Sequence, residues 1–577
     1  MTMQRTVRRA KENRAVASFR LGRRYHSAMR TVNFKSLISD FKSQISDFKS
    51  EIANFKFLTS GLQPLFVTVL LLLTLSLRAE PTTRPNILFI MSDDHAYQAI
   101  SAYGFGLNQT PNIDKLASEG MRLDRCLTTY SLCGPARACL LTGKYSHLNG
   151  FYNNYTSRFD GSQVTYPKLL QAAGYQTAIV GKWHLESDPT GFDFWEILPG
   201  QGRYYNPPMI RMGQKVAKQG YVTDIITNDA LDWLKNQRDP NKPFLLLVHH
   251  KAPHRPWQPA LSHLMDYDGV KFPEPPTLFD DYSGRGKAEY VQDMMIAKTM
   301  NDEDLKFKEF KEMDPEQKKE WDAYYQPRNA EFRKSNPQGA DLVRWKYQRY
   351  LHDYFATIAS IDDSIKALTD YLKEAGLDRN TLVIYTSDQG FFLGEHGWFD
   401  KRWIFEQSLR TPMIVRWPGV TKPGSTNGDI TSNLDVAETF LDAAGVAIPV
   451  EMQGRSMVPV LKGETPADWR KSFYYHYYEH PAVHNVAKQY GVITDQFKLV
   501  HFYEPEFNYW ELFDLKKDPL ELKSVYDDPN YAEVQKQLHV ELDRLRKELK
   551  VPEQDPPGSI IPLSALSKEV RDKSTTK

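Results

Sequence analysis

Four short apolar runs in this chain each end on residues able to do chemistry. Ile87 to Ile90 leads into Ser92-Asp93-Asp94-His95, and Thr177 to Val180 into Gly181-Lys182-Trp183-His184. Phe244 to Val248 leads into His249-His250-Lys251-Ala252-Pro253-His254, and Leu382 to Tyr385 into Ser387-Asp388-Gln389-Gly390. Asp93, Asp94, Asp388 and Gln389 make an all-oxygen donor set. Such a set suits a hard divalent cation, Ca2+ or Mg2+ with Ca2+ preferred, over Zn2+, whose usual ligands are His and Cys. A fifth segment, Leu132-Cys133-Gly134-Pro135-Ala136-Arg137 continuing to Thr142-Gly143-Lys144, has Pro in a first helical turn and Gly at the end. It reads as a turn entering a helix, with Cys133 at the N-terminus. The backbone N–H groups and helix dipole there favour an anion, and Arg137 lies one turn along. Taken singly, an Asp-Asp pair is more often a helix cap and a lone Cys more often a buried cap. The agreement of the strand ends is what gives them weight.

These residues need a frame that gathers them. From Glu80 onward, short apolar strands alternate with amphipathic helical stretches, the pattern of an α/β domain with a largely parallel sheet. Ligands of such sheets bind outside the carboxyl ends of the strands, so the strand ends predict one shared site. Composition agrees with a large globular chain: 577 residues, 41% hydrophobic and 25% charged. With 73 Lys+Arg against 72 Asp+Glu, neither a disordered polyampholyte nor a nucleic-acid partner is indicated. The cysteines are Cys126, Cys133 and Cys139, too few and too close together for a disulfide framework or a separated thiolate metal cluster.

The ends of the chain differ from its body. Residues 1–61 are basic up to Arg30 and then repeat every seven residues at Phe34, Phe41, Phe48 and Phe55; with Ser and Asp at most other positions this reads as an unstructured extension. Residues 62–79 contain the apolar run Leu65 to Leu77, shorter than the roughly 20 residues of a spanning helix. It reads as an export signal or an uncleaved anchor, the one predicted membrane contact, and places the protein in the periplasm or outside the cell. A catalytic α/β domain is expected over 84–445, with a helical insertion at about 280–350 rich in charge and aromatics. A C-terminal subdomain over 446–550 has a hairpin in Gly491 to Phe502, a strand at Trp510 to Asp514 and helical periodicity from Ala532 to Leu549. Residues 551–577 have Pro and charge without periodicity and are expected to be mobile.

Cys133-x-Pro135-x-Arg137 followed by Leu141-Thr142-Gly143 resembles the signature of the formylglycine-dependent sulfatases. The resemblance extends from about Arg84 to Leu549, through Pro85-Asn86-Ile87-Leu88 with Ser92-Asp93-Asp94, Gly181-Lys182-Trp183-His184-Leu185, Pro253-His254-Arg255-Pro256, and Ser387-Asp388-Gln389-Gly390 with Lys401 before Phe405-Glu406. Ala136 stands where family members often have Ser, and Gln389 where they more often have Asn or His. The resemblance implies an alkaline-phosphatase-like core with a smaller C-terminal antiparallel sheet and a packed helix. It also implies that a maturation enzyme reading Cys-x-Pro-x-Arg oxidises Cys133 to formylglycine. One Ca2+ would then be held by Asp93, Asp94, Asp388, Gln389 and the modified Cys133. In the roles carried over, the hydrated aldehyde attacks the sulfate sulfur, His254 with Lys401 protonates the leaving oxygen, and His184 takes the proton of the second hydroxyl. Lys182 bridges the hydrate and sulfate oxygens, and Arg137 holds the formylglycine region. The partner is a sulfated carbohydrate.

Thr142 to Gly150, Ser187 to Gly202 and Trp398 to Trp403 look like the N-acetylglucosamine-6-sulfatase branch, which includes mucin-desulfating enzymes. Asp400 and Arg402, flanking Lys401, would bind sugar hydroxyls, and His484 would reach the pocket from the C-terminal subdomain. Tyr204, Tyr205 and Trp257 either stack on the sugar or pack in the core. Three alternatives remain open at this point. One is another sulfatase specificity, of the arylsulfatase or iduronate-2-sulfatase kind. Another is a phosphatase or phosphodiesterase of the same superfamily, which would need paired zinc and a Ser or Thr nucleophile. The third is a module that binds sulfated glycans without cutting them.

Overall fold

The computed structural model describes residues 84–568 and Val570; the basic extension and the apolar run at 62–79 lie outside the described residues. Among the described residues no helix is long and apolar enough to cross a membrane. In chain order the strands are β1 (Asn86–Ser92), β2 (Met121–Leu127), β3 (Gln176–Lys182), β4 (Phe194–Leu198), β5 (Pro208–Arg211), β6 (Gln214–Ala217), β7 (Phe244–His249), β8 (Thr381–Ser387), β9 (Phe392–Leu393), β10 (Phe399–Asp400), β11 (Arg410–Arg416), β12 (Ser425–Asn427) and β13 (Thr431–Ser432). Eleven of them form one sheet in the order β12-β2-β11-β8-β1-β7-β3-β4-β5-β6, with β13 beside β2. Its centre, β8-β1-β7-β3-β4, is parallel, while β11 and the β5-β6 pair run antiparallel on the flanks.

The central strands read as continuous apolar runs because both faces are covered. Ile87, Phe89 and Met91 of β1 join Leu245, Leu247, Leu382 and Ile384 on one face; Leu88 and Ile90 join Leu246, Val248 and Val383 on the other. The longer helices are α1 (Pro111–Glu119), α2 (Cys133–Thr142), α3 (Tyr166–Ala172), α4 (Val222–Asp232), α5 (Pro315–Ser335), α6 (Gly339–Glu374), α7 (Asp435–Ala443) and α8 (Ala532–Glu548). α2, α3 and α7 cover the first face through Leu140, Leu141, Leu170, Val436 and Phe440. α1, α4 and α6 cover the second, and α6 lays Ile361, Ile365, Leu368 and Leu372 along one stripe at helical spacing.

The insertion expected at about 280–350 has its long helices only in its second half, the first half holding the short helix Lys287–Val291. Residues 280–314 are mostly turns, and α5 starts where Asp314 and Gln317 cap one another in a capping box ahead of Pro315. Trp321, Tyr324 and Tyr325 of α5 are buried against the second face of the sheet.

Four further strands, β14 (Ser472–Tyr477), β15 (Gln489–Thr494), β16 (Phe497–Phe502) and β17 (Tyr509–Asp514), form an antiparallel meander. The expected hairpin is β15-β16 and the expected strand is β17; β14 shows no regular alternation in sequence, because all of its residues, Ser472 and His476 included, are buried. One face of this sheet packs on Leu538, Leu542 and Leu545 of α8. The other face, with Phe473, Tyr475, Tyr477, Val500 and Phe513, meets Trp398, Trp403 and Phe405 of the catalytic domain. Those three rings stack, Trp398 on Trp403 at 5.1 Å and on Phe405 at 5.9 Å. The stretch expected to be mobile beyond Val551 instead buries Ile561, Leu566 and Val570 with Ala482, contacts whose irregular spacing leaves no periodic signal.

Candidate active site

Parallel register is what gathers the strand ends. Ser92 pairs with Ser387, Met91 with His249, and Gly181 with His249, so Asp93, Lys182, His250 and Asp388 emerge at one edge. Gly181 has φ +106°, and a Cβ there would lie 1.9 Å from His249 O, which is why the residue before Lys182 is glycine. α2 begins at Cys133 and is closed by the left-handed Gly143, bringing the thiol and Arg137 to the same edge.

Arg137 organises the floor. Its Nε and Nη2 donate to Asp388 Oδ2 at 3.1 and 2.9 Å, and Nη1 donates to Lys182 O at 3.0 Å. Asp388 Oδ1 accepts from the backbone N–H of Asp94 and of Gln389 at 3.2 and 3.1 Å. Lys182 Nζ contacts Asp93 Oδ2 and donates to Gln201 Oε1 at 2.6 Å. Lys401 Nζ donates to Asp94 Oδ2 at 2.6 Å, and Gln389 Nε2 contacts Asp94 Oδ1. Cys133 Sγ lies 4.0 Å from the same Oδ1.

The donor set fits a hard cation. Asp93, Asp94 and Asp388 each offer an oxygen within 4.8 Å of the others, and Asp93 Oδ1 and Gln389 Oε1 are buried without hydrogen-bond partners. Burial, and then repulsion from the neighbouring carboxylates, pushes Asp94 up to about 8 and Asp388 up to about 6, against the pull of Lys401 and Arg137. Burial works the same way on Asp93, but Lys182, Arg137 and Lys401 outweigh it and hold that carboxyl well below the usual range. A divalent ion held by these residues would supply the positive charge that three crowded carboxylates call for.

Around this floor stand the other expected groups. Burial and the nearby Asp93 push the Cys133 thiol well above its ordinary value, so an unmodified thiol there is protonated and a poor nucleophile. His254 Nδ1–H donates to Arg255 O at 2.7 Å, and its Nε2 lies 3.7 Å from Asp94 Oδ2. Burial and the field of Lys182, Lys401 and Lys251 hold this imidazole neutral. Burial and Lys182 do the same to His184, whose Nδ1 has no partner among the described residues.

Asp400, Arg402 and His484 form one cluster. Asp400 Oδ1 accepts from Lys401 N–H at 2.7 Å and contacts Arg402 Nη1, while Oδ2 meets His484 Nε2 at 3.2 Å. All three have left-handed backbone, with φ of 80°, 89° and 68°. Such strain, about 1–3 kcal/mol per residue, persists only where surroundings over-determine it and clusters at functional sites. The C-terminal sheet supplies that hold: Tyr475 Oη donates to Arg402 O at 3.1 Å, and Ile404 N–H donates to Gln489 Oε1 at 3.0 Å.

Of the two readings of Tyr204, Tyr205 and Trp257 the structure shows core packing: all three are buried in the hydrophobic clusters, with Tyr205 Oη donating to Pro259 O at 2.6 Å. Two residues of the site were not anticipated. Gln201 holds Lys182, and Lys251 is buried with its ammonium 4.8 Å from the Tyr204 ring, lowered to about 7 by burial and by Lys182. Lys251 lay in view directly after His250, whereas Gln201 sits in a loop with no spacing to mark it. Three other histidines, His95, His147 and His249, bond Tyr385 Oη, Leu549 O and Lys182 O respectively.

A sheet with helices on both faces, carrying at its edge a buried carboxylate trio among Arg, Lys and His side chains, has the alkaline-phosphatase-like architecture. The sulfatase family profile matches residues 85–446, and that for the C-terminal part of N-sulphoglucosamine sulphohydrolase matches 394–548. The chain belongs to the sulfatase family and is a sulfuric ester hydrolase. It is 50% identical over 503 residues to the N-acetylglucosamine-6-O-sulfatase of Bacteroides thetaiotaomicron, covering 84% of this chain and 90% of that one. To the human N-acetylglucosamine-6-sulfatase it is 29% identical over 421 residues, 68% of this chain and 67% of that one. A solved structure of a protein in complex with its substrate D-glucosamine-2-N,6-O-disulfate superposes with a TM-score of 0.80 at 50% identity, covering 82% of this chain and all of that one.

Proposed function

We propose that this sulfatase removes the 6-O-sulfate of N-acetylglucosamine residues in sulfated glycans. The observation that carries this is the Asp400–Arg402–His484 cluster beside Lys401, in a chain half identical to an enzyme named for that reaction. Arg402 Nε, buried without a hydrogen-bond partner, is a donor left over for a sugar oxygen. In this reading a partner enzyme oxidises Cys133 to formylglycine, and Asp93, Asp94, Asp388, Gln389 and residue 133 hold one Ca2+. Together they supply an activated oxygen nucleophile and a Lewis acid for the sulfate. The apolar run at 62–79 supports export, as a signal or an anchor.

The side chains divide the remaining work. Lys182, Lys251 and Lys401 draw in the sulfate and balance its charge. As that anion arrives, the positive field that keeps His254 neutral is offset, and the imidazole can carry a proton on Nε2 and deliver it to the leaving sugar oxygen. His184, neutral and with Nδ1 open, takes up a proton from residue 133 for the return step. Arg137 keeps Asp388 ionised and fixed.

The direct test is sulfate release from N-acetylglucosamine-6-sulfate, other sulfated sugars and an aryl sulfate, with protein coexpressed with a maturation enzyme and Cys133→Ala as blank. Release from another sugar alone would discard the 6-sulfate assignment and keep the sulfatase. For His254→Ala we expect a loss on the sugar sulfate about 100-fold larger than on an aryl sulfate, whose leaving group needs no proton. Equal losses would remove the general-acid role. Asp400→Ala and Arg402→Ala are each expected to cut kcat/KM on the sugar sulfate by about 10- to 100-fold, with a smaller effect on the aryl sulfate. Parallel losses on both substrates would assign these residues to the sulfate rather than the sugar.

A further inference from the structure

One side of the site is formed by a short loop, Ala482 to Asn485, that carries His484. His484 and Asn485 have φ of 68° and 50°, a conformation that non-glycine residues keep only where their surroundings enforce it. On the inner side the restraint comes from the catalytic domain. Asp293 N–H donates to His484 O at 2.9 Å, His484 Nδ1 lies 3.2 Å from Asp293 O, and Asn485 Nδ2 donates to Val291 O at 3.1 Å. On the outer side the restraint is the end of the chain. Ala482 packs against Ile561, Leu566 and Val570, with Tyr155 alongside, and Val483 N–H donates to Tyr155 Oη at 3.1 Å. The strap that carries these residues is moored upstream, where Asp555 meets Lys488 Nζ at 3.1 Å and Tyr503 Oη at 3.2 Å.

Between the strap and the catalytic domain lies a cavity of about 640 Å3, lined among others by Arg255, Lys298, Thr299, Asn301, His484 and Ser567. That volume falls within the roughly 300–1,000 Å3 of small-ligand sites. Its walls are shared with the active site: His484 is bonded to Asp400, and Arg255, clamped by Asp304, directly follows His254. Apart from Asp293, its polar lining consists of the cations Arg255 and Lys298, His484, and hydroxyl and amide side chains that both donate and accept, chemistry suited to the hydroxyls and anionic substituents of a saccharide.

We propose that the C-terminal strap is the outer wall of a second saccharide subsite. In this arrangement, which rests on the sulfatase reading above, the sugar bearing the scissile sulfate sits at Asp400, Arg402 and His484. The adjoining sugar, with its hydroxyls and its sulfate or carboxylate groups, enters the cavity beside Lys298. Ile561, Leu566 and Val570 act as positioning residues, holding His484 on Asp400 through Ala482.

The test compares three substrates: a 6-sulfated monosaccharide, a sulfated disaccharide containing it, and an aryl sulfate. Wild type, the chain ended at Ile560, Leu566→Ala and Lys298→Ala are measured on each. In the shortened chain, kcat/KM for the disaccharide relative to the aryl sulfate is expected to fall about tenfold, mainly through KM. Lys298→Ala is expected to reduce the disaccharide-to-monosaccharide ratio several-fold. A purely structural role for the strap would lower all three substrates together. Unchanged ratios in a folded shortened chain overturn the subsite. If that chain does not fold, unchanged ratios in both point variants overturn it equally. A wild type that cuts the aryl sulfate and neither saccharide overturns the 6-sulfate assignment and the subsite with it.

Discussion

Replacing Cys133 with alanine is expected to remove at least about 10,000-fold of sulfate release on every substrate, because the group lost is the nucleophile itself. Cys133 is buried at the start of α2, and among the described residues its thiol makes a single, long hydrogen-bond contact, to Asp94 Oδ1 at 4.0 Å. Deleting one sulfur from that position costs the fold little, so the thermal midpoint of Cys133→Ala should stay close to that of the wild type. A second arm separates the thiol from its oxidised form. Protein made without a maturation enzyme keeps the Cys, and burial holds that thiol protonated, so it should be as inactive as the alanine variant. Intact-mass measurement tells the two populations apart. Full activity in chains shown by mass to carry an unmodified Cys133 would sink the formylglycine reading.

Calcium should raise thermal stability, and Asp93→Asn should abolish the response. At 100 times its dissociation constant a ligand bound only by the folded state adds about 2.7 kcal/mol. For a chain of this size we expect that to appear as a rise of a few degrees, reversed by chelation. Asp93→Asn keeps the size of the side chain and an oxygen on the metal side, but it takes the carboxylate charge from the buried Lys182, so the readout is the calcium-induced shift within the variant and not its midpoint against the wild type. Asp388→Ala is a different experiment. It strands Arg137, which is 2% exposed, without its carboxylate, and should destabilise the protein by about 3–5 kcal/mol with or without metal. A midpoint that does not move with calcium, together with no cation found by elemental analysis and activity unaffected by exhaustive chelation, would reject the metal assignment.

The parts of this molecule that were legible in the sequence are those governed by short-range rules. Parallel strands buried on both faces must be apolar throughout, so β1, β3, β7 and β8 stood out, and the residues after them had to converge. The Cys133-x-Pro135-x-Arg137 segment is one helix start and carries its meaning locally. What stayed hidden depends on partners far along the chain. β14 is aromatic on both sides because one face meets α8 and the other the rings of Trp398 and Trp403. Gln201 earns no notice as a residue type; only the fold brings its amide to Lys182. Tyr204 and Tyr205 look like sugar platforms in a sequence, yet their rings fill the space between the sheet and α4. The strap beyond Val551 docks through three side chains with no common period.

The ring stack of Trp398, Trp403 and Phe405 has an implication for how this enzyme could be recombined with its relatives. The stack belongs to the catalytic half by chain position but lies on the inner face of the C-terminal meander, and Lys401 falls between its members in the chain. The two family profiles overlap between 394 and 446, in the stretch that carries this loop. A chimera joined after residue 446 would therefore pair one parent's substrate loop with another parent's support, leaving the strained Asp400 and Arg402 without the contacts that hold them. A junction placed ahead of Leu393 would move the loop and its support as one heritable unit.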